Sequence, residues 1–284
     1  MIRILPVFTT LLTRLQIFQQ IGSTVCLNDG RSECIDQITI SFVRILQRFI
    51  IIMSASHRIP QRIIPDFTFS FQLRFYLLGK IFDDVSCVVY RGTDKTVVGW
   101  REDCNMAFLS PVPSQRTAVE YLRQAAEQIP GTFLLCGHSK GGNLAIYAAA
   151  TCERTLQDRI LKVCSMDGPG FEPNVLELAG YNRMLSRMIT YIPQNSVVGM
   201  LLEHREKYVV IRSMQEGFMQ HDVYSWEVFG PSLIHEERIT DECRVLNASL
   251  KEWIDNMDYD QRRQFVNSLF DLLDECDATL ESPL

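Results

Sequence analysis

The chain has 284 residues, 46% hydrophobic and 22% charged, with a formal net charge of −6. That length suits one large catalytic domain, and the acidic balance excludes an extended basic groove for nucleic acid. Its nine cysteines show neither paired metal-ligand spacing nor a dense disulfide pattern, so no metal is expected and a reduced, cytoplasmic setting is.

The opening MIRILPVFTTLLTRLQIFQQ is apolar, but Arg14 interrupts it and no small-residue cleavage site follows, so it does not read as a signal peptide. The apolar run at 45–53 contains Arg48 and is too short to span a bilayer; no transmembrane segment is expected. Residues 1–80 are set apart as an N-terminal segment for which helical cover is the expectation, and residues 81–284 as the core unit. VSCVVY at 85–90 has the β-branched, nearly all-apolar character of a strand buried on both faces, and the turn RGTD follows it. After SPVPS, Ser114 is the expected cap of a helix whose Ala118, Leu122, Ala125 and Ile129 share a face, and Pro130 and Gly131 end it. TFLLCG then reads as a strand, KGGNLAIYAAATCERTL as a helix, and ILKVCSM as a strand that runs into DGPG. Cys136 and Cys164 fall inside these strands, where a thiol behaves as a small core residue.

This alternation with short connections predicts an α/β protein with a mainly parallel central sheet, covered by helices on both faces, and chemistry outside the carboxyl ends of the strands. MITYIPQ and KYVVIRS are two further strands. ITDECRVLNASLKEWIDNM and DQRRQFVNSLFDLLDEC read as closing helices; in the second, Phe265, Leu269, Leu272 and Cys276 recur at three- and four-residue steps, which predicts a core-facing stripe.

The chemistry concentrates at Gly137-His138-Ser139-Lys140-Gly141, a G-x-S-x-G turn between a predicted strand and a predicted helix. Such an elbow projects the Ser139 hydroxyl, with Gly137 and Gly141 letting strand and helix approach, and the Lys140 backbone N–H at the helix start is placed to receive an oxyanion. A serine nucleophile needs a base and an orienting carboxylate. Of the five histidines, His221 follows the last clear strand on a loop that can return to Ser139, and it is the expected base. His138 adjoins the serine and is expected to point away from its hydroxyl; His204 precedes a strand, at the wrong edge, His57 lies in the N-terminal segment, and His235 precedes the closing helices. Asp167, at the start of DGPG, is the expected acid with Asp222 as its rival, while Asp94 and Asp103 read as supporting loop groups.

VVYRGTDKTVVGWREDCNMAF, LLCGHSKGGNLAIYAAA, SMDGPGFEP and GFMQHDVYSWEV together resemble the bacterial lipase-like proteins related to the Mbeg1-like group of the α/β-hydrolase superfamily, over roughly residues 80–280. The resemblance implies an α/β-hydrolase fold, a Ser139–Asp167–His221 triad, no cofactor, and a small acyl ester or lipid-like substrate. YRGTD is also similar to the FRGT segment of class 3 lipases, with Tyr90 in place of the Phe, which makes Thr93 an oxyanion-hole candidate. In class 3 lipases the acid follows a later strand, in a segment similar to NSVVGML; Ser196 stands there in this chain, so the acid is assigned to Asp167. Serine esterase or lipase-like hydrolysis of an ester or thioester is the expected activity. An acyltransferase on the same triad, or an inactive scaffold binding a protein partner, are the alternatives.

Overall fold

The computed structural model describes residues 75–82, 85–93, 97–229 and 232–275. The signal-peptide and bilayer readings fall on residues outside these, as does most of the helical cover expected for 1–80; the last part of that segment, Phe75–Phe82, is strand β1, so the boundary at 80 falls within a strand.

Five strands carry the parallel part of the sheet: β2 (Val85–Tyr90), β3 (Thr132–His138), β4 (Ile160–Met166), β5 (Met188–Pro193) and β6 (Lys207–Ile211). β1 joins β2 antiparallel at one edge, and the short strand His235–Glu236 joins β6 antiparallel at the other, giving seven strands in sequence order among the described residues. Strands laid down in order with right-handed crossovers place the connecting helices on a common face. There Val88 and Tyr90 of β2 and Phe133 and Leu135 of β3 share one core with Ala118, Leu122, Leu144, Ala148 and Tyr181.

Among the described residues, five longer helices flank the sheet: α1 (Val97–Asn105), α2 (Pro113–Gln128), α3 (Lys140–Thr151), α4 (Asp241–Asp255) and α5 (Tyr259–Glu275). The predicted face of α2 is the buried one, with Ala118, Leu122 and Ala125 in the core and Ile129 packed against it. Its expected cap is corrected. Pro113, which has no N–H and a φ suited to the first turn, starts the helix one residue earlier than Ser114, and Gln115 Oε1 accepts the Val112 N–H at 3.0 Å.

The helix expected over 140–156 is also two pieces. α3 stops at Thr151, Cys152 and Glu153 are extended, and a short turn spans Arg154–Gln157. Gln157 Nε2 donates to the Ala149 and Ala150 carbonyls at 2.8 and 3.2 Å, satisfying the end of α3 from that turn.

The stripe predicted on the last helix is the largest correction. Phe265, Leu269 and Leu272 are exposed, and Val266 and Phe270 are buried instead. α5 docks beside α1, where Arg101 lies over the Phe270 ring and pairs with Asp271 at 3.1 Å, and Phe265 meets Trp253 of α4 edge-on. Cys276 lies outside the described residues. Among the described residues, no helix is long and apolar enough to cross a membrane.

Candidate active site

Ser139 stands alone between the end of β3 and the start of α3, with φ 57° and ψ −133°. A non-glycine residue held there costs about 1–3 kcal/mol and persists only where its surroundings hold it. Ser139 N–H donates to the Met166 carbonyl of β4 at 2.8 Å, and its own carbonyl accepts the Gly142 N–H at 2.9 Å. The two elbow glycines make the turn possible: a Cβ on Gly137 would lie 2.2 Å from the Gly141 carbonyl, and one on Gly141 would lie 2.1 Å from the Tyr90 oxygen. Tyr90 is buried and donates its hydroxyl to the Ala118 carbonyl at 3.3 Å.

Asp167 is the residue after β4, buried and also at positive φ, 50°. Its Oδ2 lies 2.6 Å from His221 Nδ1, while Oδ1 accepts from Ser196 Oγ at 2.5 Å and from the Gly199 N–H at 3.1 Å. The carboxylate therefore takes the Nδ1–H of His221 and leaves Nε2 as the ring's basic nitrogen. Ser196, in the turn that follows β5, reaches the same carboxyl group. Asp222, the rival acid, is exposed and caps the following turn by accepting the Tyr224 N–H at 3.0 Å.

Neighbouring elements lock the pair. Asn143, four residues after Ser139 on α3, donates to the Pro169 and Gly170 carbonyls at 3.1 and 2.8 Å and so holds the acid's turn to the nucleophile's helix. His221 ends a short 3₁₀ turn, Gly217–His221, in which buried Gln220 accepts the Asn195 N–H and donates to the Gln215 carbonyl, both at 2.8 Å. Asn247 of α4 donates to the Ser196 carbonyl at 3.1 Å. The His138 ring, close beside His221, has its basicity pushed down to about 4 by burial and by that neighbour.

On the other side of the elbow, Thr93 Oγ1 donates to Asp103 of α1. The Lys140 ammonium, almost fully buried, sits 2.9 Å from Asp103 Oδ1 and 2.6 Å from Glu102 Oε2, and Glu102 Oε1 accepts the Ser114 N–H at 2.9 Å. Burial raises the Asp103 carboxyl from its ordinary range, with Lys140 and Thr93 pulling against it. This network clamps the RGT loop and α1 to the elbow. Asp94 and His57 lie outside the described residues, His235 is exposed on the sheet edge, and His204 pairs with Glu206.

Sequence reasoning missed Asn143, Gln220 and Glu102, and read His138 only as pointing away from the Ser139 hydroxyl. Only Asn143 left a local signal, since its four-residue step places it one turn from Ser139 along α3.

A mostly parallel sheet with α3 starting at its carboxyl edge and the Asp167–His221 pair on that same edge makes this an α/β-hydrolase-like protein. The chain belongs to the Mbeg1-like family, whose model matches residues 53–271. It is also similar to the Rhizomucor miehei lipase propeptide complex, at 12% identity and a TM-score of 0.41, over 65% of this chain and 70% of that one. No curated protein matches the chain.

Proposed function

We propose that the protein is a serine hydrolase that cleaves a small carboxylic ester or thioester, lipid-like acyl esters included, through an acyl-enzyme. His221 Nε2 takes the Ser139 Oγ proton as the hydroxyl attacks the carbonyl carbon, and Asp167 stabilises the imidazolium that forms. The Lys140 backbone N–H and the backbone of the loop at Thr93 receive the oxyanion, because the Thr93 hydroxyl is already donated to Asp103. Collapse of the tetrahedral species expels the alcohol or thiol, which leaves with the proton from His221. Water then gives its proton to His221 and attacks the acyl-enzyme; the carboxylic acid departs and Ser139 regains its proton. The cycle as drawn uses no cofactor.

The observation that carries this reading is the buried Asp167 carboxylate bonded to His221 Nδ1 at 2.6 Å, on the sheet edge where the serine elbow lies. A fluorophosphonate probe with intact-protein mass spectrometry tests it. One label per wild-type molecule, located at Ser139, and none on folded Ser139→Ala is the expected result. Undiminished labelling of Ser139→Ala would move the nucleophile elsewhere, and a folded wild-type protein that takes no label would overturn the hydrolase reading.

A further inference from the structure

The residue before the nucleophile reaches the backbone of the base. His138 is the last residue of β3, and its Nε2 lies 2.8 Å from the backbone carbonyl oxygen of His221. The two rings lie with centroids 4.5 Å apart, and the Phe218 ring stacks against His221 at 5.9 Å. We infer that His138 is a positioning residue for the base: its Nε2–H, donated to the His221 carbonyl, fastens the base-bearing turn to the nucleophile elbow. The inference deepens the hydrolase reading and rests on it for its consequence in rate, while the bond itself can be tested without turnover.

Three observations support the assignment. First, the turn needs an anchor: Met214, Phe218 and Met219 around it are exposed, and Gly217 is at φ 53°. Gln220 ties the turn to the acid's side through Asn195, and the imidazole of His221 meets Asp167, but the His138 bond joins the turn to the strand that carries Ser139. Second, a carbonyl accepts but does not donate, so the His138 proton must sit on Nε2. Burial and the neighbouring His221 lower the ring's basicity to about 4, against opposing pulls from the bond to the His221 carbonyl and, after it, from Asp167, so at neutral pH it is an uncharged donor. Third, the lack of charge matters. The imidazolium that forms on His221 during proton transfer would be opposed by a cation at this distance, which a lysine or arginine donor would supply. A neutral histidine holds the turn without that repulsion.

The bond is separable from the ring contact by substitution. Glutamine places its amide nitrogen as many bonds from Cβ as His Nε2 and keeps the donor, whereas phenylalanine keeps a ring beside His221 and loses the donor. For folded His138→Phe we expect kcat to fall roughly 10- to 100-fold with KM little changed, because a displaced base costs rate more than binding. His138→Gln should recover most of that loss. Nitrogen-15 and proton NMR of the His221 ring gives the second readout: its Nδ1–H resonance should be sharp in wild type and His138→Gln and exchange-broadened in His138→Phe. Wild-type kcat together with an unchanged His221 resonance in His138→Phe would overturn the inference. So would a His138→Gln protein impaired in both readouts as severely as His138→Phe. If His138→Phe does not fold, His138→Leu removes the same donor and is judged by the same criteria. An unlabelled wild-type protein would instead count against the hydrolase reading, and the NMR comparison would still decide whether the His138 bond holds the turn.

Discussion

Among the described residues, two buried carboxylates bond to the Nδ1 of a histidine, Asp167 to His221 at 2.6 Å and Glu206 to His204 at 2.7 Å. They lie at opposite kinds of strand end. Asp167 follows β4 at its carboxyl end, and Glu206 precedes β6 at its amino end. Glu206 also accepts from Tyr181 and Thr190, each at 2.6 Å, and from the Arg205 N–H at 3.2 Å. The Nε2 of its histidine is buried without a hydrogen-bond partner. Burial alone would raise the Glu206 carboxyl, but His204, Thr190 and Tyr181 outweigh it and hold it down to about 2. His221, by contrast, is partly exposed, on a turn anchored beside a serine elbow. An acid bonded to an imidazole is therefore no signature of chemistry by itself. The end of the strands at which the pair sits, and the serine elbow on that same edge, separate the candidate site from a structural pair.

That contrast predicts opposite mutational profiles. Asp167→Asn should retain the fold and lower kcat/KM roughly 10²- to 10⁴-fold, because the asparagine no longer holds the reactive tautomer. Asp222→Asn, measured in parallel, should stay near wild type, since that side chain only caps an exposed turn. A severe loss in Asp222→Asn beside a near-normal Asp167→Asn would break the comparison and transfer the acid.

Glu206→Gln should do the reverse, leaving kcat per folded molecule unchanged while lowering unfolding stability by about 1–3 kcal/mol in urea titrations. Because the folded-state carboxyl is held below its ordinary value of 4.5, its stabilisation is fully present above that pH and drains away as pH falls toward about 2. The stability gap between wild type and Glu206→Gln should accordingly shrink in acid. A gap of constant size down to pH of about 2 would mean that Glu206 is not held ionised by its partners.

A milder loss than at Asp167 is expected at Ser196→Ala. Asp167 loses one charge-assisted hydrogen bond there but keeps the Gly199 N–H and His221, so kcat/KM should fall about tenfold with little change in stability. Comparable losses in Ser196→Ala and Asp167→Asn would show that the hydroxyl does more than steady the carboxylate.

Much of the fold was legible because strand and helix formation answer to local spacing. β2 and β4 span the residues that the runs VSCVVY and ILKVCSM predict, and the buried face of α2 is the one its apolar spacing marks. The closing helix misled for a physical reason. Its apolar residues cover more than one face, and periodicity cannot say whether the stripe at Phe265, Leu269 and Leu272 or the one at Val266 and Phe270 meets the core. Docking against α1 made that choice.

The candidate site divides along the same line. By itself the sequence determined the strand–helix succession and the serine elbow, since an apolar run, a crowded glycine turn and an Ala-rich helix are contiguous and their preferences act within a few residues. Only the tertiary structure decided that Asp167 rather than Asp222 holds His221, that Ser196 steadies that acid, and that His138 reaches the His221 carbonyl. Those partners stand 54, 29 and 83 residues apart. A hydrogen bond depends on position within a few tenths of an ångström, and at such separations that position is set by the packing of the sheet and its helices, which no local pattern encodes.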